Sequence, residues 1–299
     1  MKIPILTYHS LNTRGTSYSD NDHVALESDL RLLKRLGYRI VPLSELVDAF
    51  NRNDLSRYEG SRVCAITFDD GVTHDYIDFY RPKRGLLKSF ARLLREAEES
   101  GRAGWERLTA TSFVIASPDA RDILDRTCIA GRGQWHDLWW RDAAEEGVLE
   151  IGNHSWDHCH ANLPEVAQRE QRKGNFFVID NQADAERQIL DAEEFIESKL
   201  GEFNVRIFAY PYGHVNAFLR DEFFPRHADR FRAAFSTAGD YMTERSNRWA
   251  IPRFVCGEHW SSPEGLESIL LGGGGARSVL RRKMAQLKAW YRRREAQRH

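Results

Sequence analysis

Short apolar segments rich in β-branched and aromatic residues alternate with longer amphipathic segments along most of the chain. The apolar segments predict strands at residues 3–8, 38–41, 63–68, 111–115, 148–151, 205–209, 232–236 and 250–255. Apolar residues at three- and four-residue steps predict helices at residues 26–36, 44–50, 86–100, 141–146 and 185–200. This alternation is typical of a parallel sheet covered by helices.

The number of strand and helix repeats suits a single α/β domain. A chain of 299 residues with about seven such repeats predicts a distorted (β/α) barrel of about seven strands. A doubly wound open sheet is the alternative. We expect the domain to span residues 1–275, since the glycines at 272–275 separate it from a basic segment at 276–299.

Polar residues that could carry chemistry follow two of the predicted strands. The strand at 63–68 ends in Asp69 and Asp70, and the strand at 148–151 is followed by His154 and His158. Two imidazoles four residues apart, with one carboxylate, form a ligand set that holds a catalytic zinc and leaves a position for water. Taken alone, two aspartates before a glycine are also typical of a surface turn.

Three ordered segments resemble the first three motifs of the NodB-like polysaccharide deacetylases, a carbohydrate esterase family. They are Thr67-Phe68-Asp69-Asp70-Gly71, His154-Ser155-Trp156-Asp157-His158 and Arg206-Ile207-Phe208-Ala209-Tyr210-Pro211-Tyr212-Gly213. The opening Leu6-Thr7-Tyr8-His9-Ser10-Leu11 is also similar to the start of many members, so the resemblance runs from about residue 5 to about residue 271. Three motifs in order are more specific than any one of them. The resemblance also implies the barrel fold.

The resemblance implies a metal site and a reaction. Asp70, His154 and His158 match the family's metal ligands, which suit Zn2+ best and Co2+, Ni2+ or Mn2+ as alternatives. The implied activity is removal of an N-acetyl or N-formyl group from a sugar. A carbohydrate is therefore the expected partner, in cell-envelope polysaccharide or lipopolysaccharide biosynthesis.

The resemblance also implies roles for residues that act on the substrate. Asp69 matches the catalytic base, and Arg206 matches the arginine that orients this base. Tyr212 matches the residue whose backbone N–H binds the oxyanion.

One family residue has no counterpart at its usual place. A histidine that protonates the leaving amine normally follows a short strand near the C-terminus, but here residues 268–271 continue into glycines. The candidate replacements are His259, His9, His214 and His160, of which we prefer His259. The missing histidine leaves an alternative function open, a non-catalytic carbohydrate-binding relative that retains the fold and the metal site.

A tryptophan cluster and a polar segment adjoin the second motif. We expect Trp139 and Trp140 to pack in the core, whereas Trp135 is either a core residue or a sugar-binding one. The segment from Cys159 to Ala183 is polar and irregular, which predicts a loop or lid.

Composition limits the classes of binding partner and the cellular compartment that we expect for the protein. The balance of 43 Lys and Arg against 44 Asp and Glu argues against nucleic-acid binding. Four cysteines with no Cys-x-x-Cys pair predict reduced thiols, and the N-terminus lacks the apolar span of a secretion signal. We therefore expect a cytoplasmic protein.

The C-terminal segment is strongly basic. Residues 277–299 carry nine basic residues and one glutamate, with apolar residues at helical spacing: Leu280, Met284, Leu287 and Tyr291. This pattern predicts a basic amphipathic helix that associates weakly with an anionic membrane surface. A helix docked on the acidic remainder of the chain, or a solvated end, is the alternative.

Overall fold

The computed structural model describes residues 1–81, 85–100, 105–129, 131–168 and 170–273. The strands are β1 (Ile5–Tyr8), β2 (Arg39–Ile40), β3 (Val63–Asp70), β4 (Phe79–Arg81), β5 (Gly85–Leu87), β6 (Ala110–Val114), β7 (Leu149–Asn153), β8 (Ile207–Ala209), β9 (Ala233–Ser236), β10 (Ile251–Pro252) and β11 (Phe254–Val255). The helices are α1 (Asp22–Leu36), α2 (Leu43–Asn51), α3 (Phe90–Glu99), α4 (Pro118–Cys128), α5 (Trp140–Glu146), α6 (Pro164–Ala167), α7 (Gln182–Ala185), α8 (Asp191–Leu200), α9 (Phe224–Arg226) and α10 (Pro263–Ser268). The predicted basic helix at 276–299 lies outside the described residues.

The main sheet is parallel and almost closes on itself. Its strands follow the order β10-β9-β8-β7-β6-β3-β1-β11, with β2 paired to the start of β3. β10 pairs with β9 at one end of this order and β11 pairs with β1 at the other, although only Arg253 separates the two strands in sequence. The segment Ile251–Val255 therefore joins the two ends of the sheet, and the predicted distorted (β/α) barrel is confirmed.

Local sequence accounts for how the first barrel helix begins and ends. The Asn21 side chain accepts hydrogen bonds from the backbone N–H groups of His23 and Val24 at the start of α1. Gly37 ends the helix with a φ of 80°, a left-handed conformation that glycine adopts without steric cost. The apolar face of α1 then packs into the barrel core, where Leu26 and Leu33 are fully buried.

Trp139 and Trp140 are 1% and 0% exposed and belong to the main apolar cluster, so their predicted core role is confirmed. The four cysteines are unpaired, as predicted. No helix within the described ranges is both long and apolar enough to cross a membrane.

Two predicted helices differ from the structure. The segment at 86–100 begins in β5, which pairs antiparallel with β4, and the helix starts only at Phe90, because Ser89 caps it by accepting from the Arg92 N–H. The helix predicted at 185–200 is interrupted by a π-helical turn at Glu186–Leu190 between α7 and α8.

Candidate active site

Three side chains that could bind a metal converge at the carboxyl ends of β3 and β7. They are Asp70, His154 and His158, and their ligand atoms all lie within 4.8 Å of one another. The Asp70 Oδ1 lies 3.8 Å from the Nε2 of His154 and 3.6 Å from the Nε2 of His158. Ligand atoms bound at about 2.0–2.1 Å to a tetrahedral zinc are about 3.4 Å apart, so the three side chains fit such an ion with small adjustments.

The protonation of His154 also suits metal binding. Its Nδ1 lies 2.8 Å from the carbonyl oxygen of Ala209, so Nδ1 carries the proton and donates it. The lone pair of Nε2 then faces Asp70. Burial lowers the pKa of His154 and also that of His158, which favours the neutral imidazoles that a metal requires.

The backbone around the cluster adopts unusual conformations. Asp70, Ser155, His158 and Tyr212 all have positive φ values, between 58° and 81°. Such values are uncommon for residues other than glycine and cluster at functional sites. Gly71, with a φ of 66°, completes the turn after Asp70, where a Cβ would lie only 2.7 Å from the Val114 Cα. The polar groups of this region are therefore aimed by a backbone that the surrounding structure holds in place.

Asp69 is held by a buried arginine from the segment that closes the barrel. Arg253 donates from Nη1 to Oδ1 at 2.7 Å and from Nη2 to Oδ2 at 2.8 Å, and it is completely buried. Burial raises the pKa of Asp69, but Arg253, through its charge and its hydrogen bonds, and the nearby His154 outweigh burial and bring that pKa to about 2. Asp69 is therefore ionised at neutral pH, with an Oδ2 atom 4.0 Å from the Nε2 of His154.

The prediction that Arg206 orients Asp69 is wrong. Arg206 directly precedes β8, so it lies at the amino end of that strand, on the side of the barrel away from the cluster. Its side chain is 51% exposed and its nearest acidic partner is Glu197, at 3.6 Å. Arg253 makes the bidentate contact that was expected of Arg206.

A pocket of about 250 Å³ opens over the cluster. Besides Asp69 and the three candidate ligands, its lining includes His9, His160, Trp135 and Tyr212. A larger groove of about 690 Å³ lies beside the same loop, lined in part by Trp156 and Asp157, but none of the three candidate ligands lines it. The smaller pocket is thus the one in which substrate could meet Asp69.

His259 does not line this pocket, which corrects its expected place in the site. Its Nδ1 accepts a hydrogen bond from the Val255 N–H at 2.8 Å, and its opposite edge packs against Gly239. His214 is also absent from the lining, whereas His9 and His160 belong to it. Of these two, His9 interacts with both Asp69 and Asp70: burial lowers the pKa of His9, but the two carboxylates raise it by more.

Trp135 and Tyr212 are two aromatic residues of the pocket lining. Trp135 is 4% exposed and packs in an apolar cluster, and its Nε1 donates to the backbone oxygen of Asp70 at 3.0 Å. It therefore packs as a core residue and also holds the turn that aims Asp70. The Tyr212 ring lies 4.3 Å from the His158 ring, in an edge-on arrangement.

Sequence reasoning missed Arg253 as a site residue and preferred His259 to His9. Arg253 lies in a segment that reads as a plain strand, and its part in the site follows from barrel closure, which no local pattern reveals. The signal for His9 was present, since a histidine at the carboxyl end of β1 lies on the face that carries the active site in barrels of this kind.

The fold and the position of the site define the protein as a distorted (β/α) barrel with a polar pocket at the carboxyl ends of its strands. The family model described as polysaccharide deacetylase matches residues 56–223, which is more than half of the chain. The chain therefore belongs to the polysaccharide deacetylase family, whose substrates are carbohydrates. No significant match was found among curated proteins.

Three solved structures share the fold. The deacetylase PplD of Streptococcus pyogenes, in complex with acetate, has a TM-score of 0.61 at 17% identity, covering 90% of this chain and 98% of that one. A de-N-acetylase from Aggregatibacter actinomycetemcomitans has a TM-score of 0.53 at 15% identity, with coverages of 86% and 96%. The BpsB deacetylase domain of Bordetella bronchiseptica has a TM-score of 0.54 at 17% identity, with coverages of 85% and 95%.

Proposed function

We propose that the protein is a metal-dependent hydrolase that removes an N-acetyl or N-formyl group from a sugar of a cell-envelope polysaccharide or lipopolysaccharide. The observation that carries the proposal is the position of an ionised, arginine-held Asp69 beside the Asp70, His154 and His158 cluster in one pocket. Family membership supports a carbohydrate substrate, and the names of the three similar structures support an acetyl group.

Asp70, His154 and His158 would hold the ion. Two imidazoles and one carboxylate suit zinc, and they also accept cobalt, nickel or manganese. When bound, such an ion makes water more acidic and polarises the amide carbonyl.

Residues of the pocket would carry out the proton transfers and bind the oxyanion. Asp69 takes a proton from the attacking water, whose oxygen bonds to the amide carbon. The Tyr212 backbone N–H donates to the oxygen that becomes negatively charged. His9 then gives a proton to the nitrogen as the C–N bond breaks, which releases acetate or formate and a free amine on the sugar.

The test combines metal analysis with an assay of released acetate, using N-acetylated oligosaccharides and added zinc or cobalt. We expect one metal ion per chain in the wild type and in Asp69→Asn, and little in His154→Ala. Asp69→Asn should lose activity by about 10²–10⁴-fold, because the amide keeps the shape of the side chain but cannot accept the proton. The general acid is assigned by comparing His9→Gln with His259→Gln, of which only the first should lower kcat strongly.

Other outcomes would revise the assignment in specific ways. Loss of metal from Asp69→Asn would mean that the roles of Asp69 and Asp70 are exchanged. Full metal content in His154→Ala would rule out this ligand set. A wild type that binds the metal and the oligosaccharides but releases no acetate or formate would be a non-catalytic carbohydrate-binding relative.

A further inference from the structure

A row of aromatic rings leads from the candidate metal cluster to the protein surface. The Tyr212 ring adjoins His158, and the His214 ring lies 5.4 Å from Tyr212. The Phe177 ring stacks on His214 with centroids 4.2 Å apart and planes 16° apart. Phe177 is 49% exposed and Tyr212 is 39% exposed, so this row, which we call the aromatic rim, presents apolar surface beside the pocket.

The exposure of Phe177 is not a sign of a loose loop. The neighbouring Phe176 is fully buried, and its N–H donates to the Nδ1 of His214 at 3.3 Å. The Asn216 side chain donates to the carbonyl oxygens of Phe177 and Ile179, at 3.0 and 2.8 Å. The loop thus holds Phe177 against His214. The protein would therefore lose little conformational entropy when a ligand stacks on this ring.

The chemistry of the rim points to a sugar rather than to another apolar partner. One face of Phe177 is covered by His214, and its remaining exposed surface is a single flat ring, too small for a protein interface. A pyranose has an apolar face of C–H groups that fits against such a ring, while its hydroxyls stay in water. The rim is also continuous with the pocket, because Tyr212 belongs to both.

We propose that Phe177, backed by His214 and Tyr212, is a stacking subsite for a sugar unit that neighbours the unit undergoing deacetylation. This inference rests on the proposed function and narrows its substrate class to chains of two or more sugar units. Phe177 does not line the pocket, so the subsite should strengthen binding only of chains that extend beyond the sugar held there.

The experiment compares N-acetylglucosamine with its linear pentamer as substrates for the metal-loaded enzyme. Phe177→Leu keeps the apolar bulk but removes the flat ring, and we expect it to raise KM for the pentamer about tenfold with kcat unchanged. The kinetics with the monomer should not change, and Phe177→Trp should restore the pentamer KM. Leu138→Ala, which removes another exposed apolar side chain, is the control for general surface effects.

A binding measurement keeps the test independent of catalysis. In the Asp69→Asn background, calorimetry should show about tenfold weaker binding of the pentamer when Phe177→Leu is added. Equal pentamer binding with and without Phe177→Leu would overturn the subsite, as would an equal loss for monomer and pentamer or no pentamer binding at all. If the wild type releases no acetate but the binding difference is present, the proposed function fails and the sugar subsite stands.

Discussion

Asp69 and Arg253 are 184 residues apart in sequence and form the tightest charged contact of the candidate site. The sequence indicates Asp69 and the three metal-ligand candidates, because each stands within a compact local motif. It does not indicate the partner of Asp69, because any of the chain's many arginines could reach a buried carboxylate. The third motif predicts Arg206 for this role, but Arg206 lies at the opposite end of the barrel, where its side chain is half exposed.

Because Arg253 rather than Arg206 contacts Asp69, a substitution of Arg253 should affect catalysis. Arg253→Lys keeps the positive charge but cannot make two parallel hydrogen bonds to the carboxylate of Asp69. We expect kcat to fall by about 10–10²-fold while metal content stays unchanged, because the base is misoriented rather than lost. Steady-state kinetics and metal analysis of the purified variant are the measurements.

Arg206→Lys is the matched control for Arg253→Lys. Its side chain is half exposed and makes one long contact, to Glu197, so kcat should stay within about twofold of the wild type. A larger loss for Arg206→Lys than for Arg253→Lys would restore the role that the motif comparison gave to Arg206.

At the scale of elements, the helical segment from α7 to α8 holds the loop that carries both histidines. Within its π-helical turn, the carbonyl oxygen of Gln188 accepts from the Trp156 N–H at 2.8 Å, and that of Ile189 accepts from the Asn153 side chain at 3.1 Å. Periodicity predicted a helix here but not the π turn. These contacts to β7 and to the loop after it favour the π turn. Their partners are about 30 residues away in sequence, so the local spacing of apolar residues does not reveal them.

Glu193 on α8 continues this contact with β7. Its two carboxylate oxygens accept from the side-chain amides of Asn153 and Asn204, at 3.0 and 2.8 Å. Asn153 in turn accepts from the Ser155 N–H, and the Ser155 hydroxyl accepts from the N–H of His158. A chain of hydrogen bonds therefore connects a buried carboxyl group, 2% exposed, to the backbone of a candidate metal ligand.

The ionisation of Glu193 makes this connection measurable. Burial raises the pKa of Glu193 from 4.5 to about 7, although the two asparagines and Arg230 act in the opposite direction and Glu197 adds to it. The folded protein thus keeps a proton that the unfolded chain releases near pH 4.5. Its contribution to stability is complete below pH 4.5 and is lost as the pH rises through 7, a change of about 3 kcal/mol.

Glu193→Gln is predicted to remove this pH dependence. The amide stays neutral at every pH, and relative to the wild type with Glu193 protonated it costs about 1 kcal/mol, because its NH2 group cannot accept one of the two asparagine hydrogen bonds. Relative to the wild type, the variant should therefore gain stability between pH 4.5 and 7.5. Urea unfolding with a chelator present measures the difference without interference from metal binding.

Glu194→Gln provides the control on the same helix. The Glu194 side chain is 65% exposed and lies 3.6 Å from Arg230, so its stability difference from the wild type should stay small and nearly constant with pH. If Glu193→Gln behaves in the same way as Glu194→Gln, the raised pKa of Glu193 is wrong.

At the scale of the whole molecule, sequence pattern predicted the barrel and most of its strands but not how it closes. Residues 250–255 read as one strand, whereas the structure divides them into β10 and β11, which pair with opposite ends of the sheet. Local patterns report that a segment is extended and buried. They do not report which neighbours it has, because pairing is decided by the path of the complete chain.

Charge is distributed unevenly along the chain. Residues 277–299 carry nine basic residues and one glutamate, close to +8, while the complete chain has a net charge of −1, so the remainder is near −9. A basic segment with regularly spaced apolar residues is attracted to anionic lipid by charge and by partial burial of those residues. The same segment could instead bind the acidic remainder of its own chain.

Cosedimentation with vesicles distinguishes binding to lipid from binding to the rest of the chain. We expect the complete chain to sediment with vesicles of anionic lipid at low salt, to be released as the ionic strength rises, and to remain in solution with neutral vesicles. A chain ending at Gly275 should remain in solution with both, and its acetate release from a water-soluble oligosaccharide should equal that of the complete chain. Equal sedimentation of the two forms with anionic vesicles would show that the basic segment does not attach the protein to membranes.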